Sequence, residues 1–276
     1  MPELPDIVVL ARSLDQTLRA ERIADVAVYQ PRCLNVSAEA FLDAIVGREV
    51  ARAWQRGKWA LLDLDRDWRI ALNLGMGGEV RVHAAEEAPD PKREKVALRF
   101  ASGKQLWAHF WWFGMVHLVP LADLSGHPQL GALGPEPLAD DFTADRLAGI
   151  LRARRGPVKN YLLDQKCVAG IGNVYIQDAL WEAHVHPQRP AGSLDRSEVE
   201  ALHRSLRHVL EEGIRWGGGY GEKDAFGNPG HYGEHLQVGY QTGKPCPTCG
   251  TTVEVVRVGS TTSYVCPKCQ PASRPA

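Results

Sequence analysis

The sequence predicts an α+β multidomain protein: an N-terminal β-sandwich with flanking helices, then a helical domain, then a small C-terminal β-hairpin. Three observations lead there. Seven short apolar or alternating segments crowd into residues 23–119, separated by Gly, Asp or charged turns, the pattern of a sandwich or barrel. From residue 142 the apolar residues recur at three- and four-residue steps, the period of a helix. Four of the six cysteines fall as two Cys-x2-Cys pairs near the C-terminus. The 276 residues suffice for two ordinary domains, each with its own core.

Taken in order, Pro5 to Ala20 reads as a helix. Ile7, Leu10, Leu14 and Leu18 form one apolar face, and Pro5 suits a first turn where its missing N–H costs nothing. The seven strand candidates are Ile23–Val28, Trp59–Leu64, Trp68–Leu72, Glu79–Val82, Val96–Phe100, Gln105–Phe110 and Met115–Val119. Ser37–Val46 is an inserted helix capped by Ser37. Residues 121–141, rich in Gly and Pro, read as a linker after an N-terminal domain of 1–120. A helical domain follows over 142–235, with helices at Phe142–Leu151, Val158–Gln165, Asn173–Ala183 and Ser197–Gly213 and a flexible glycine-rich loop at Gly217–Gly233. A cysteine module over 236–270 and a disordered tail at 271–276 complete the chain.

Composition excludes several classes. With 44% hydrophobic and 24% charged residues the chain is a folded, soluble type. No run of 18 apolar residues could span a membrane, and the N-terminus lacks the basic leader of a secretory signal. A cytoplasmic location is therefore expected; a monomer is the expected state, although the sequence itself does not give the oligomeric state. Net charge is −1, which by itself does not point to nucleic acid. Residues 1–150 hold 17 Lys+Arg against 21 Asp+Glu, a net of −4, so the remainder carries +3. That asymmetry is too small to argue DNA binding, although a basic groove depends on placement rather than totals.

Cys246, Cys249, Cys266 and Cys269 form C-x2-C-x16-C-x2-C. Two thiolate pairs on two knuckles make a tetrahedral four-sulfur cage for one structural Zn2+, with no position left for a catalytic water. Thr252–Val258 and Thr262–Val265 would be the hairpin strands, turning at Gly259-Ser260. The module is either a fold-stabilising staple or a hairpin presented to nucleic acid. In the helical domain, two helices flank the tight turn around Gly170-Ile171-Gly172, and Asn173 either caps the second helix or donates to a phosphate. At the chain start, removal of Met1 would expose the secondary amine of Pro2. An α-amino group titrates near ~8, so a neutral, nucleophilic fraction exists at neutral pH. Glu3 beside it could move protons, and Lys58 lies in a turn between strands. Taken singly, each of the three also has an ordinary structural reading.

Together these segments resemble a known family. M-P-E-L-P-D at 1–6, G-K at 57–58, L-N-L-G-M-G-G at 72–78, L-G-P-E-P-L at 133–138, L-L-D-Q-K-C-V-A-G-I-G-N-V-Y at 162–175 and the cysteine finger occur in the order found in the formamidopyrimidine-DNA glycosylase (Fpg) and endonuclease VIII (Nei) family. The match covers about residues 2–270 and leans to the Fpg branch. The resemblance implies a helix-two-turn-helix domain and a base-excision-repair enzyme, a DNA glycosylase with AP lyase activity on oxidised or ring-opened purines. Its partner would be double-stranded DNA carrying a damaged base or abasic site, held in a groove between the domains with the damaged nucleotide out of the stack. Pro2 would attack C1′, Glu3 would shuttle protons during ring opening, and Lys58 would contact phosphate. Asn173, the finger hairpin, Arg155 and Lys159 would grip phosphates. Met76 and Phe113 would act as wedges, and Gly217–Gly233, with Lys223, Asp224 and Phe226, would cap the extruded base.

Three positions depart from the family. Trp111, in Trp111-Trp112-Phe113-Gly114, stands where an arginine normally reads the orphaned cytosine. An indole has one donor and cannot make that bidentate contact, so Trp111 either stacks as a wedge or faces a sheet core. The finger turn Gly259-Ser260-Thr261-Thr262 lacks the family's arginine, with Arg257 on the facing part of the hairpin. Asp6 replaces a glutamate of longer reach. These departures imply relaxed opposite-base preference. They also leave open Nei-like or bulky-lesion specificity, or a non-catalytic DNA-damage-binding relative.

Overall fold

The computed structural model describes residues 1–219 and 221–272. Of the tail expected to be disordered, 273–276 lie outside the described residues, as does position 220 of the expected capping loop. The chain divides into two compact units, Met1–Ala132 with Gly217–Gly230, and Leu133–Trp216 with the part from His231 onward. This differs from the expected division. The glycine-rich segment folds with the N-terminal unit rather than with the helices, and the cysteine module folds with the helices.

In the first unit, α1 (Leu4–Leu18) buries Leu4, Ile7, Leu10, Leu14 and Leu18 along one face, as the spacing requires. Two four-stranded antiparallel sheets follow. One has β1 (Ile23–Val28), β6 (Val96–Phe100), β7 (Gln105–His109) and β5 (Glu79–His83) side by side. The other orders β2 (Val50–Arg56), β3 (Trp59–Leu64), β4 (Trp68–Asn73) and β8 (Met115–Pro120). A single apolar core takes Ile23, Leu98 and Leu106 from the first sheet, Val50, Leu62, Ile70 and Leu118 from the second, and the inner face of α1. The helix α2 (Ala38–Ile45) is capped by Ser37 Oγ, which accepts from the Ala40 N–H, and seals the core with Phe41 and Ile45. The strand β2 has no counterpart among the seven expected strands. Its residues run from buried Val50 through exposed Ala51 and Arg52 to half-buried residues 53–56 while the strand packs on α1, so no clean alternation marks it.

Sheet register brings three connections to one edge. The β2–β3 turn closes at Arg56 opposite Trp59, β4 ends at Asn73 opposite Met115, and β7 ends at His109 opposite Glu79. Lys58, the 74–78 segment and the 110–114 segment therefore emerge together, and Asn73 Nδ2 donates to the Lys58 carbonyl at 3.2 Å.

In the second unit, α3 (Ala144–Leu151), α4 (Val158–Leu163) and α5 (Tyr175–Glu182) follow the expected helices with trimmed ends, and α6 (Arg196–Arg215) extends its expected helix at both ends. Asp195 and Glu198 form a reciprocal capping box at the start of α6, whose Val199, Leu202, Leu206 and Val209 stripe is buried. β9 (Glu254–Val258) and β10 (Thr261–Val265) form the hairpin, turning at Gly259-Ser260.

Candidate active site and nucleic-acid contacts

Glu3 is the residue that opens α1. Its carboxylate accepts from the Asp6 N–H, while Asp6 Oδ2 accepts from the Glu3 N–H at 2.6 Å, a reciprocal box at the positive end of the helix. Pro2, Glu3 and Asp6 are all buried. The short Asp6 side chain also binds the glycine-rich segment, its Oδ1 accepting from the Gly219 N–H at 2.6 Å. The substitution of aspartate for glutamate is thus absorbed by a close approach of backbone. At Gly218 (φ +103°) an added Cβ would lie 2.9 Å from the same oxygen.

Lys58 faces these carboxylates. Burial pulls its ammonium below the usual lysine range, and the negative charges of Glu3 and Asp6 pull it back up. Lysine and both carboxylates thus share one electrostatic field at the chain start.

The 110–114 segment resolves the two readings of Trp111. Its indole is 69% exposed, so it does not face a sheet core. Trp112 and Phe113 are likewise exposed, and Met76 is half-exposed. The Met76 N–H donates to the Trp112 carbonyl at 2.9 Å, tying the two segments into one aromatic edge. Trp111 rests edge-on against His109 at 5.0 Å and sits close to Gly77, where an added Cβ would meet its ring at 2.9 Å. Phe113 takes φ +59°, a left-handed conformation that costs a non-glycine residue of order 1 kcal/mol. Below this edge lies a cleft of about 420 Å³ walled by Gly77, Glu79, Arg93, His109, Trp111 and Glu222 among others. Glu79 accepts from Arg93 and, at 3.2 Å, from Lys223.

In the second unit, the residues expected to grip phosphate differ in their exposure. Arg155 is exposed. Lys159 is not available at the surface. It is fully buried, and its ammonium donates to the Thr262 carbonyl and to Ser263 Oγ, both at 2.6 Å. The physical reason is the finger itself: the lysine reaches β10 and satisfies hairpin groups that would otherwise be stranded. Asn173 does not cap α5 either, since Val174 occupies the cap position. Instead the Asn173 side-chain oxygen and carbonyl accept from Gln177 Nε2 at 3.1 and 2.8 Å. Gln177 also donates to Thr262 O and accepts from the Tyr264 N–H, so it keys the turn before α5 to the hairpin. Gln177 escaped the sequence reading because a lone glutamine inside a helix carries no motif.

The sulfur atoms of Cys246, Cys249, Cys266 and Cys269 lie within 4.8 Å of one another, with separations of 3.4, 3.5 and 3.8 Å between bonded neighbours. Tetrahedral zinc with Zn–S near ~2.3 Å requires sulfur atoms about 3.8 Å apart, so this donor set fits one Zn2+. The hairpin turn carries hydroxyls and an exposed Arg257 opposite Thr262, as expected.

Glu222 is the residue the sequence reading overlooked. Its Oε1 lies 3.6 Å from the terminal nitrogen of Met1. Burial, with the nearby Asp6 charge, pushes its carboxyl up to about 7.

Comparison with known proteins finds three family models along the chain. The formamidopyrimidine-DNA glycosylase N-terminal domain matches residues 1–110, the formamidopyrimidine-DNA glycosylase H2TH domain residues 133–224, and the zinc finger found in FPG and IleRS residues 243–272. The formamidopyrimidine-DNA glycosylase of Chloroflexus aurantiacus is 40% identical over 275 residues, covering 98% of each chain. That of Roseiflexus sp. is 37% identical over 276 residues, covering 98% of this chain and all of its own. Among solved structures, Lactococcus lactis Fpg in complex with abasic-site DNA matches with a TM-score of 0.90 at 29% identity, covering 98% of this chain and 99% of that one. The same organism's wild-type Fpg with N7-benzyl-Fapy-dG DNA gives 0.90 at 30% identity, covering 98% and 100%.

Proposed function

The chain belongs to the formamidopyrimidine-DNA glycosylase family, and from that premise we propose that it is a bifunctional base-excision enzyme acting on duplex DNA. Proteins of this family are DNA glycosylases and AP lyases. The substrates are oxidised or ring-opened purines and abasic sites. A duplex substrate implies work where the chromosome is held. Among the described residues no helix is long and apolar enough to cross a membrane.

Once Met1 is removed, the Pro2 nitrogen attacks C1′ of the extruded nucleotide, and the base leaves with the C1′–N bond pair and takes up a proton. Glu3, held at the start of α1, moves protons as the sugar ring opens to an iminium. The iminium acidifies the 2′ hydrogen, and β-elimination expels the 3′ phosphate oxygen. Lys58 stabilises phosphate next to the reacting sugar. The observation that carries this reading is the convergence of the buried chain start, Glu3, Asp6 and the Lys58 ammonium in one field. The aromatic edge of Met76, Trp111, Trp112 and Phe113 supports a wedge that fills the space left by the extruded nucleotide. In the second unit, Arg155, the Asn173 amide and the hairpin hydroxyls supply phosphate contacts. Bound zinc supplies shape rather than chemistry, because four thiolates fill its coordination.

Opposite-base choice is relaxed, because the single indole donor of Trp111 cannot reproduce a bidentate readout. A panel of duplexes carrying 8-oxoguanine, a formamidopyrimidine or an abasic site, each opposite all four bases, tests the function. Cleavage of all three lesions with little dependence on the opposite base is expected. Binding without cleavage, unchanged in Pro2→Gly, would establish a non-catalytic damage-binding protein instead.

A further inference from the structure

We propose that Glu222 is a second proton-handling carboxylate of this site: it takes a proton from the terminal ammonium to free the nucleophile and returns it to the departing base. The proposal rests on the Pro2 reading above. Four observations lead to it.

The first is contact. Glu222 is the carboxylate that meets the chain's terminal nitrogen, at 3.6 Å. Removal of Met1 leaves the amine one residue along the same chain start. The second is that Glu222 is held in place. Its segment is fastened to α1 by Gly219 N–H to Asp6 Oδ1 at 2.6 Å and by Ala225 N–H to Ser13 Oγ at 2.9 Å. The Val82 N–H on β5 donates to the Ala225 carbonyl at 2.8 Å, and the Glu222 carbonyl accepts from Gly230 at 2.8 Å. The third is access: the 26% exposed Glu222 side chain forms one wall of the cleft beneath Trp111, so a bound ligand and the chain end can meet the same carboxylate. The fourth is that Glu3 is already engaged at the start of α1, accepting from the Asp6 N–H. Glu222 offers a second carboxylate beside the chain end.

The electrostatics suit the task. The groups around Glu222 are the terminal amine and Asp6 from α1, Glu79, Arg93 and His109 from the second wall of the cleft, and Lys223 on its own segment. Burial and the Asp6 charge bring Glu222 up to about 7, which suits a group that takes and returns a proton near neutral pH. In sequence, the ammonium gives one proton to Glu222, the neutral nitrogen forms the N–C1′ bond, and the C1′–base bond breaks. The neutral Glu222 carboxylic acid then protonates the base anion and is again a carboxylate.

The test is single-turnover cleavage of formamidopyrimidine duplexes from about pH 5.5 to about pH 9, with borohydride trapping, by processed wild type, Glu222→Gln and Glu222→Asp. Wild type should show an acidic limb near 7. Glu222→Gln should lose about 10²-fold in rate and lose that limb. Glu222→Asp should recover part of the rate, and affinity for an uncleavable tetrahydrofuran duplex should be unchanged in both variants. A Glu222→Gln enzyme that traps adduct with the wild-type rate and pH profile overturns this proposal alone. Absence of adduct from processed wild type overturns the Schiff-base reading and this proposal with it.

Discussion

Replacing Lys159 with methionine separates two roles that the sequence leaves together. If the buried ammonium is a strut, Lys159→Met removes two short hydrogen bonds from a charged donor, to Thr262 O and Ser263 Oγ. Bonds of that kind are worth roughly 1.5–3 kcal/mol each. Two terms reduce the sum. Methionine no longer has to be desolvated as an ion, and Thr262 O keeps its bond from Gln177 Nε2 at 3.2 Å. Ser263, fully buried, is left as the main unsatisfied group. A net loss of about 2–4 kcal/mol follows, a roughly 30- to 700-fold fall in the folded-to-unfolded ratio of the second unit. Urea unfolding followed by tryptophan fluorescence measures it. The slope of log affinity against log salt for an abasic duplex should not change beyond error. A phosphate-contacting lysine would give the opposite pair of results: stability within about 0.5 kcal/mol of wild type and a salt slope smaller by about 0.9. That pair would refute the reasoning.

Three further outcomes are expected. Trp111→Arg should create a preference for cytosine opposite the lesion of about 5- to 150-fold in kcat/KM, the range of one bidentate base contact, measured across the four opposite bases. Cys266→Ser should lower bound zinc from one per chain toward zero by metal analysis, with loss of cooperative unfolding of the hairpin. His117 and His127 share a bond of 2.8 Å, and burial with the neighbouring ring holds His117 down to about 4. Because the folded state binds fewer protons than an unfolded histidine near ~6.5, this pair's stability is complete above pH ~6.5 and is lost as pH falls toward about 4. His117→Gln should flatten that part of the stability curve by up to about 1.4 kcal/mol per pH unit.

Much of the architecture was legible because its signals are local. The Ile7-Leu10-Leu14-Leu18 stripe, Ser37 before α2 and the paired Cys-x2-Cys knuckles each act through near neighbours, and each stands where its pattern implies. Strand β2 was not legible, since its burial grades from buried Val50 through exposed Ala51 and Arg52 to half-buried residues 53–56, which leaves no period of two. At the site, Pro2, Glu3 and Lys58 were readable as candidates from motifs, while the partners of long side chains were not. Lys159 looked like a surface lysine because nothing local says that β10, a hundred residues later, covers it. Glu222 looked like one charge in a glycine-rich run, because its link to the chain start depends on Asp6 binding Gly219 across 213 positions. Trp111 needed the cramped surface of Gly77 to show that its ring is held outward.

The central claim is that the processed chain end is the nucleophile. Borohydride reduction during reaction with an abasic-site duplex, followed by peptide mapping of the adduct, tests it most directly. Covalent sugar on the Pro2 nitrogen, and none on protein that retains Met1, is the predicted result. Adduct mapped to Lys58, or none from fully processed protein that binds the duplex, would contradict it.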